Sequence, residues 1–190
     1  SLKTVSETVQ EIPSLTPLSF FPAEELTPVD KELLFEHFHC AKGFQEAREG
    51  VGFAFNTQGN CLITVNEHNH LQLQLFSTET DFATSWKKLT EIDDLIAKAH
   101  PYAFSPRFGY LTADPSLCGT ALEARIFLHV PALRHTGALG ELISKYADEQ
   151  ISFEGLEGSM ADLVGDFLIL KNHFTLGVSE ETVLGLLQTT

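Results

Sequence analysis

The apolar positions of the chain follow two periods. Cys61, Ile63 and Val65 share one side of an extended segment, and Leu71, Leu73 and Leu75 alternate with Gln72 and Gln74. A period of two marks strands with one buried face. With residues 51–56, joined through Thr57-Gln58-Gly59-Asn60, these segments predict an antiparallel meander. From Thr80 to His100 the period lengthens, and Phe82, Trp86, Leu89, Ile92 and Ile96 predict a long amphipathic helix covering one face of that sheet. The run 31–38 has the same helical spacing, with Asp30 as its cap. Farther on, Phe108-Gly109-Tyr110-Leu111 and the alternating Ala124, Ile126, Leu128 and Val130 predict strands. Leu139, Leu142, Ile143 and Tyr146 predict a helix of about three turns after Pro131, ending near Asp148, with Gly137 and Gly140 weakening its front. Strands near 150–154 and 166–171 follow, then a terminal helix opened by Ser179 with Glu180 and Glu181 in its first turn. Sheet and helices without strict βαβ alternation give an α+β class. Residues 1–29, with Pro13, Pro17, Pro22 and Pro28 and little periodicity after Gln10, read as an exposed lead-in to one domain over 30–190.

Composition narrows the function classes. The 26 acidic and 12 basic residues give a formal charge of −14, a field that opposes nucleic acid, anionic membrane and free nucleotide phosphates. No apolar run approaches the roughly 20 residues of a membrane span. The start of the chain lacks the layout of a signal peptide. Cys40, Cys61 and Cys118 are odd in number and lack the close pairing of a zinc site or redox dithiol. They read as reduced thiols in a cytoplasmic protein. The chain opens on Ser1 rather than methionine, which suggests a piece of a longer protein.

Four segments carry the chemistry. The stretch Phe108-Gly109-Tyr110-Leu111-Thr112-Ala113-Asp114-Pro115-Ser116-Leu117-Cys118-Gly119-Thr120-Ala121-Leu122-Glu123-Ala124-Arg125, continuing to His129-Val130-Pro131-Ala132-Leu133, resembles the G-Y-L-T-x-C-P-(T/S)-N-x-G-T-x-x-R-A-S signature of the ATP:guanidino phosphotransferases. Its L-H-L-P-A-L-like ending is nearest to the bacterial protein-arginine kinases. Asn66-Glu67-His68-Asn69-His70-Leu71-Gln72 is similar to N-E-E-D-H-L-R, and Asn172-His173-Phe174-Thr175-Leu176-Gly177-Val178-Ser179-Glu180-Glu181 to N-x-x-T-L-G-x-S-E-E. Glu154-Gly155-Leu156-Glu157-Gly158-Ser159 lies where the family has an R-G-x-x-G-E loop. The resemblance spans roughly residues 30–190. It implies an α+β fold, an antiparallel sheet flanked by helices in the glutamine-synthetase-like architecture of guanidino kinase catalytic domains, with ATP and Mg²⁺ as cofactors of an active member.

Against that pattern the charges have changed. The arginines of the H-L-R, R-A-S and R-G blocks are Gln72, Glu123 and Glu154, so the three expected phosphate-binding positions are neutral or acidic. Of the paired glutamates the first remains as Glu67, whereas the second, the family's catalytic carboxylate, is His68. The reactive-site cysteine maps to Asp114, four residues before Cys118, and no S-x-R-x-R segment occurs upstream. Phosphoryl transfer depends on positioning and on neutralising the moving phosphate. Losing one preorganised stabiliser costs about 10²–10³ in rate, and an arginine finger is worth about 10³–10⁵.

Blander readings stand beside these. Glu67 can be a solvated strand-end carboxylate, and His68 and His70, on one strand face, lack a third ligand for a metal. Glu36-His37-Phe38-His39-Cys40 has no orienting partner for nucleophilic chemistry. Cys118 reads as a small buried thiol, and Asp114 as the end of a turn with Pro115. Glu154, Glu157 and Asp162 form either a solvated glycine-bearing loop or an acidic surface for an arginine-rich protein. No metal site is legible. Three functions remain open: a pseudokinase that binds a kinase subunit or basic protein, an active guanidino or protein-arginine kinase rebuilt around Arg107, Arg125 and Lys171, and a purely structural domain.

Overall fold

The predicted meander forms the first sheet. Strands β1 (Leu18–Pro22), β2 (Gly52–Asn56), β3 (Cys61–Val65) and β4 (Leu71–Leu75) lie in the order β1-β2-β3-β4, each antiparallel to its neighbour. The computed structural model describes residues 7–8, 18–36, 49–56, 58–78, 82–146, 150–156, 158–160 and 163–189. The chain divides into an N-terminal unit, residues 1–102, and a C-terminal unit, residues 103–190.

In the N-terminal unit both sheet faces are covered. One face carries Ala54, Cys61 and Ile63, packed with Ile92 and Ile96 of helix α2 (Phe82–Ala99) and flanked by Leu71, Leu73 and Leu75. The other carries Phe53 and Leu62 with Ala23, Phe21, Leu26 and Leu34. Each buried isoleucine, leucine or phenylalanine contributes roughly 1.5–3 kcal/mol. Residues 18–26 are therefore not an exposed lead-in. β1 pairs along its whole length with β2, Phe20 and Phe21 pack on opposite faces, and Ala23 is fully buried. Pro22 is tolerated because it ends an edge strand.

Helix α1 (Pro28–Glu36) starts earlier than the apolar spacing indicates. Thr27 is its cap: Thr27 Oγ1 accepts from the Asp30 amide at 3.2 Å, and the Asp30 carboxylate accepts from the Thr27 amide at 3.0 Å and hydroxyl at 2.6 Å. Asp30 is thus the reciprocal member of a capping box, not the cap. These bonds hold its carboxyl below the usual range.

The C-terminal unit holds a short hairpin, β5 (Phe104–Ser105) with β6 (Gly109–Tyr110), and a three-stranded antiparallel sheet ordered β7 (Arg125–His129), β9 (Phe167–Asn172), β8 (Ile151–Glu154). The predicted helix after Pro131 is two helices, α3 (Pro131–Thr136) and α4 (Leu139–Tyr146). Gly137, at φ 74°, is the left-handed cap that stops the first. Helix α5 (Glu180–Thr189) buries Val183 and Leu187 and lies against β9. Ser179 Oγ accepts from the Thr182 amide at its start. Among the described residues, no helix is long and apolar enough to cross a membrane.

Candidate functional site

Three of the six motif positions fall in the N-terminal unit, around the β3–β4 connection. Asn66 turns the chain with φ 57°, its amide donates to His70 O at 3.1 Å, and its side chain donates to Gly50 O at 2.9 Å. Asparagine tolerates that left-handed conformation better than most residues. Glu67 and His68 occupy the loop so closed, Glu67 half-buried and His68 and His70 exposed. The two histidines therefore sit in a loop rather than on one face of a strand. Among the described residues, no group of three or more His, Cys, Asp or Glu side chains is placed to hold a metal. Gln72 follows on β4, directly opposite the buried Thr64 of β3.

In the C-terminal unit two of the motif blocks are bound to each other. Tyr110 and Gly119 exchange backbone hydrogen bonds of 2.9 and 3.1 Å, and the Thr120 amide donates to Thr175 O at 3.0 Å. The approach is close enough to exclude a side chain. A Cβ on Gly119, whose φ is +113°, would lie 2.2 Å from Thr175 O, and one on Gly109 would lie 2.5 Å from Gly119 O. Thr175 Oγ1 donates to Ser116 O at 3.0 Å and Cys118 O at 2.7 Å. Asn172 donates to Leu122 O at 3.0 Å and Phe174 O at 3.1 Å, and accepts from the Ala124 amide at 2.8 Å. Asn172 and Thr175 are buried, so each bond satisfies a group that water does not reach. Their clamping role was missed in the sequence, although both stand at the named positions of the N-x-x-T-L-G block.

Asp114 lies within this clamped segment as the cap of a 3-10 turn over Pro115–Leu117. Its Oδ1 accepts from the Ser116 amide at 2.9 Å and hydroxyl at 2.8 Å, which lowers its carboxyl below the usual range. The turn is what this carboxylate holds. Cys118 is half-buried, with its sulfur 3.6 Å from Thr112 Oγ1.

The clamp delivers Glu123 to the start of β7, where the charges gather. Arg125 on β7 and Lys171 on β9 are direct partners in register, so their side chains emerge on one face. Each is engaged by a carboxylate from a position where the motif carries arginine. Glu123 Oε1 lies 2.5 Å from Arg125 Nη2 and accepts from its Nε at 2.6 Å, and Glu154 Oε2 lies 2.6 Å from Lys171 Nζ. The pairs are only partly exposed, Arg125 at 45% and Glu123 at 29%, Lys171 at 26% and Glu154 at 18% of their side-chain surfaces. Along the same face Phe127 lies opposite Ile169, and the His129 and Phe167 rings lie 5.1 Å apart. Arg107, the third cation proposed to rebuild the site, stacks over the Phe108 ring at 5.1 Å.

The charges on this face are matched to one another. A triphosphate needs uncommitted donors and positive charge. Here both cations already hold carboxylates, and the quartet Glu123, Arg125, Lys171 and Glu154 sums to zero charge. Of the remaining sequence candidates, His37, Phe38, His39, Cys40, Glu157 and Asp162 lie outside the described residues.

Residues 2–190 match the family described as ATP:guanido phosphotransferase, C-terminal catalytic domain. A protein-arginine kinase of Chlamydia muridarum (strain MoPn / Nigg) is 36% identical over 189 residues, 98% of this chain and 53% of that protein. One of Halothermothrix orenii is 29% identical over 172 residues, 90% of this chain and 49% of that protein. The chain thus spans about half the length of these relatives. Among solved structures, the duplicated taurocyamine kinase of Schistosoma mansoni with bound transition state analog components superposes with TM-score 0.84 at 22% identity, over 97% of this chain and 27% of that one. Lombricine kinase superposes with TM-score 0.76 at 21% identity, over 99% and 55%. At that identity the structures speak for the α+β fold.

Proposed function

Because the chain belongs to the ATP:guanido phosphotransferase family through its C-terminal catalytic domain, we propose that it is a protein-arginine-kinase-like homologue that keeps the fold, no longer transfers phosphate, and acts by binding a partner protein. The observation that carries this reading is the pairing of Glu123 with Arg125 and of Glu154 with Lys171. Two positions where the motif carries arginine bear negative charge, and the nearby cations are paired with those same carboxylates. Phosphoryl transfer in a family of ATP-using kinases relies on cations and Mg²⁺ to neutralise the moving group. A net charge of −14 suits a basic, arginine-bearing partner, or a kinase subunit of opposite charge. The same reading places the protein in the cytoplasm, with Cys61 and Cys118 as free thiols.

One observation favours a second reading. The 36% identity to a relative named protein-arginine kinase runs over nearly the whole chain. Under that reading the protein is an active kinase using Mg·ATP, with phosphate ligands from residues other than Arg125 and Lys171 and with Glu67 facing the guanidinium. Calorimetric titration of Mg·ATP and Mg·ADP into the chain, with a phosphoarginine assay on an arginine-rich protein, separates the two. The first reading expects no binding at micromolar nucleotide and no phosphoarginine. Micromolar binding with turnover overturns it.

A further inference from the structure

Helix α1 carries apolar residues on two sides. Leu34 packs inward, against the cluster that holds Phe53 and Leu62. Val29 and Leu33, four residues apart and so neighbours on the helix surface, are 76% and 54% exposed. A surface helix with one buried stripe ordinarily turns charged residues to water. Helix α2 of the same unit does so: Ile92 and Ile96 are buried, whereas Lys87, Lys88, Glu91, Asp94 and Lys98 are exposed. On α1 two aliphatic side chains take such outward positions instead. The charge beside them is one-sided. Glu24, Glu25, Asp30 and Glu32 are exposed, and the half-buried Lys31 is the one basic residue between positions 24 and 34. The Thr27–Asp30 capping box and the inward packing of Leu34 hold the helix in place, so the outward face is presented in a fixed form.

We propose that the outward face of α1, Val29 and Leu33 with the carboxylates of Glu24, Glu25 and Glu32 that precede and interleave them, is a docking surface for a basic amphipathic helix of a partner protein. It rests on the reading that the chain acts by binding a basic partner, and goes further in naming the surface and the form of that partner. Charge complementarity selects the occupant. Two aliphatic side chains one helical turn apart take an apolar stripe of the same spacing, and the acidic residues beside them favour arginine or lysine flanking that stripe. A second copy of this chain brings a formal charge of −14 and the same acidic residues to the contact, and is repelled. Nucleic acid and anionic membrane are disfavoured for the same reason.

The experiment titrates the 190-residue chain calorimetrically with a synthetic amphipathic peptide that carries leucines on one helical face and arginines beside them. A control peptide has the same residues in an order without an apolar stripe. The ordered peptide is expected to bind and the control is not. V29Q/L33Q, which keeps good helix formers at both exposed positions, is expected to weaken binding at least about tenfold, because a few apolar anchors dominate such contacts. E24Q/E25Q/E32Q is expected to weaken it as well and to reduce its dependence on salt. E91Q/D94N/E141Q makes the same change in net charge at exposed positions elsewhere and is expected to leave binding unchanged. The single variants V29Q and L33Q carry the test if the pair does not fold. Absence of binding, equal binding of the control peptide, a folded V29Q/L33Q that binds as tightly as the parent, or a loss matched by E91Q/D94N/E141Q overturns the proposal. A dimer of the unmodified chain in sedimentation that V29Q/L33Q dissolves also overturns it, by giving the face to a second copy. The outcome is separable from the kinase question: nucleotide turnover by the unmodified chain would remove the proposed function, whereas the α1 surface stands or falls on peptide binding.

Discussion

Two neighbouring regions of the C-terminal unit have been treated in opposite ways. Gly109, Gly119, Asn172 and Thr175 keep the residue types of the family signature, and the structure shows a physical need for each: backbones too close for a Cβ, and buried side chains whose bonds close a loop. On the face of β7, β9 and β8 a few residues away, the charges have been rearranged, and the sheet beneath them is intact. A clamp made of buried contacts tolerates little change because its partners have no water to turn to. A partly exposed charged face tolerates much, because an ion pair there contributes only about 0–1 kcal/mol. Scaffold and charged face can therefore change separately, and here the scaffold residues are the ones that match the signature.

The comparison can be tested from its strongest side first. Gly119→Ala should be the most damaging single change, costing on the order of 4 kcal/mol or more, because the new methyl would meet backbone atoms at a residue already at φ +113°. Thermal melting should show the variant largely unfolded; a melting temperature within a few degrees of the parent would break the clamp argument. Asn172→Ala should cost about 3 kcal/mol, since it leaves the Ala124 amide and Leu122 carbonyl without their bonds, and Thr175→Val about 1–2 kcal/mol. Denaturant titration reads both. E123Q/E154Q should shift stability by no more than about 1 kcal/mol. A loss as large as that of Asn172→Ala would show that the charge face also holds the sheet together.

The smallest effect lies outside both regions and sets a baseline. Burial raises the pKa of Asp93, the Tyr102 hydroxyl that donates to it at 2.9 Å opposes the shift, and Asp94 adds to it. A carboxyl whose folded pKa is raised binds its proton more tightly in the folded state. Its contribution is fully present below the unfolded pKa and is lost as pH rises through the folded value. Asp93→Asn should therefore raise the melting temperature at pH 7 by on the order of 1–2 °C, with the gain vanishing below about pH 4, the ordinary carboxylate range. Differential scanning calorimetry at both pH values checks it, and a gain of equal size at low pH would rule out ionisation as the cause.

Much of this was legible in the chain itself. The alternation at 61–65 and 71–75, the 3.6-residue stripe of α2, and the motif blocks are local patterns, and they were enough to give the α+β class, the meander and the family. The same blocks exposed the missing arginines, because a substitution at a motif position needs no coordinates to be seen. What stayed hidden were particular pairings whose partners lie far along the chain. Residues 18–22 carry no strong pattern and become a strand only by pairing with β2. Asn172 reaches back 48 and 50 residues to Ala124 and Leu122, and Thr175 reaches 57 residues to Cys118. Glu154 and Lys171 meet only because β8 and β9 are adjacent. Periodicity and propensity are set by neighbours in sequence, so the sequence determined most of the elements and the altered charges. Which carboxylate neutralises which cation depends on strand order and register, and only the tertiary structure decided that.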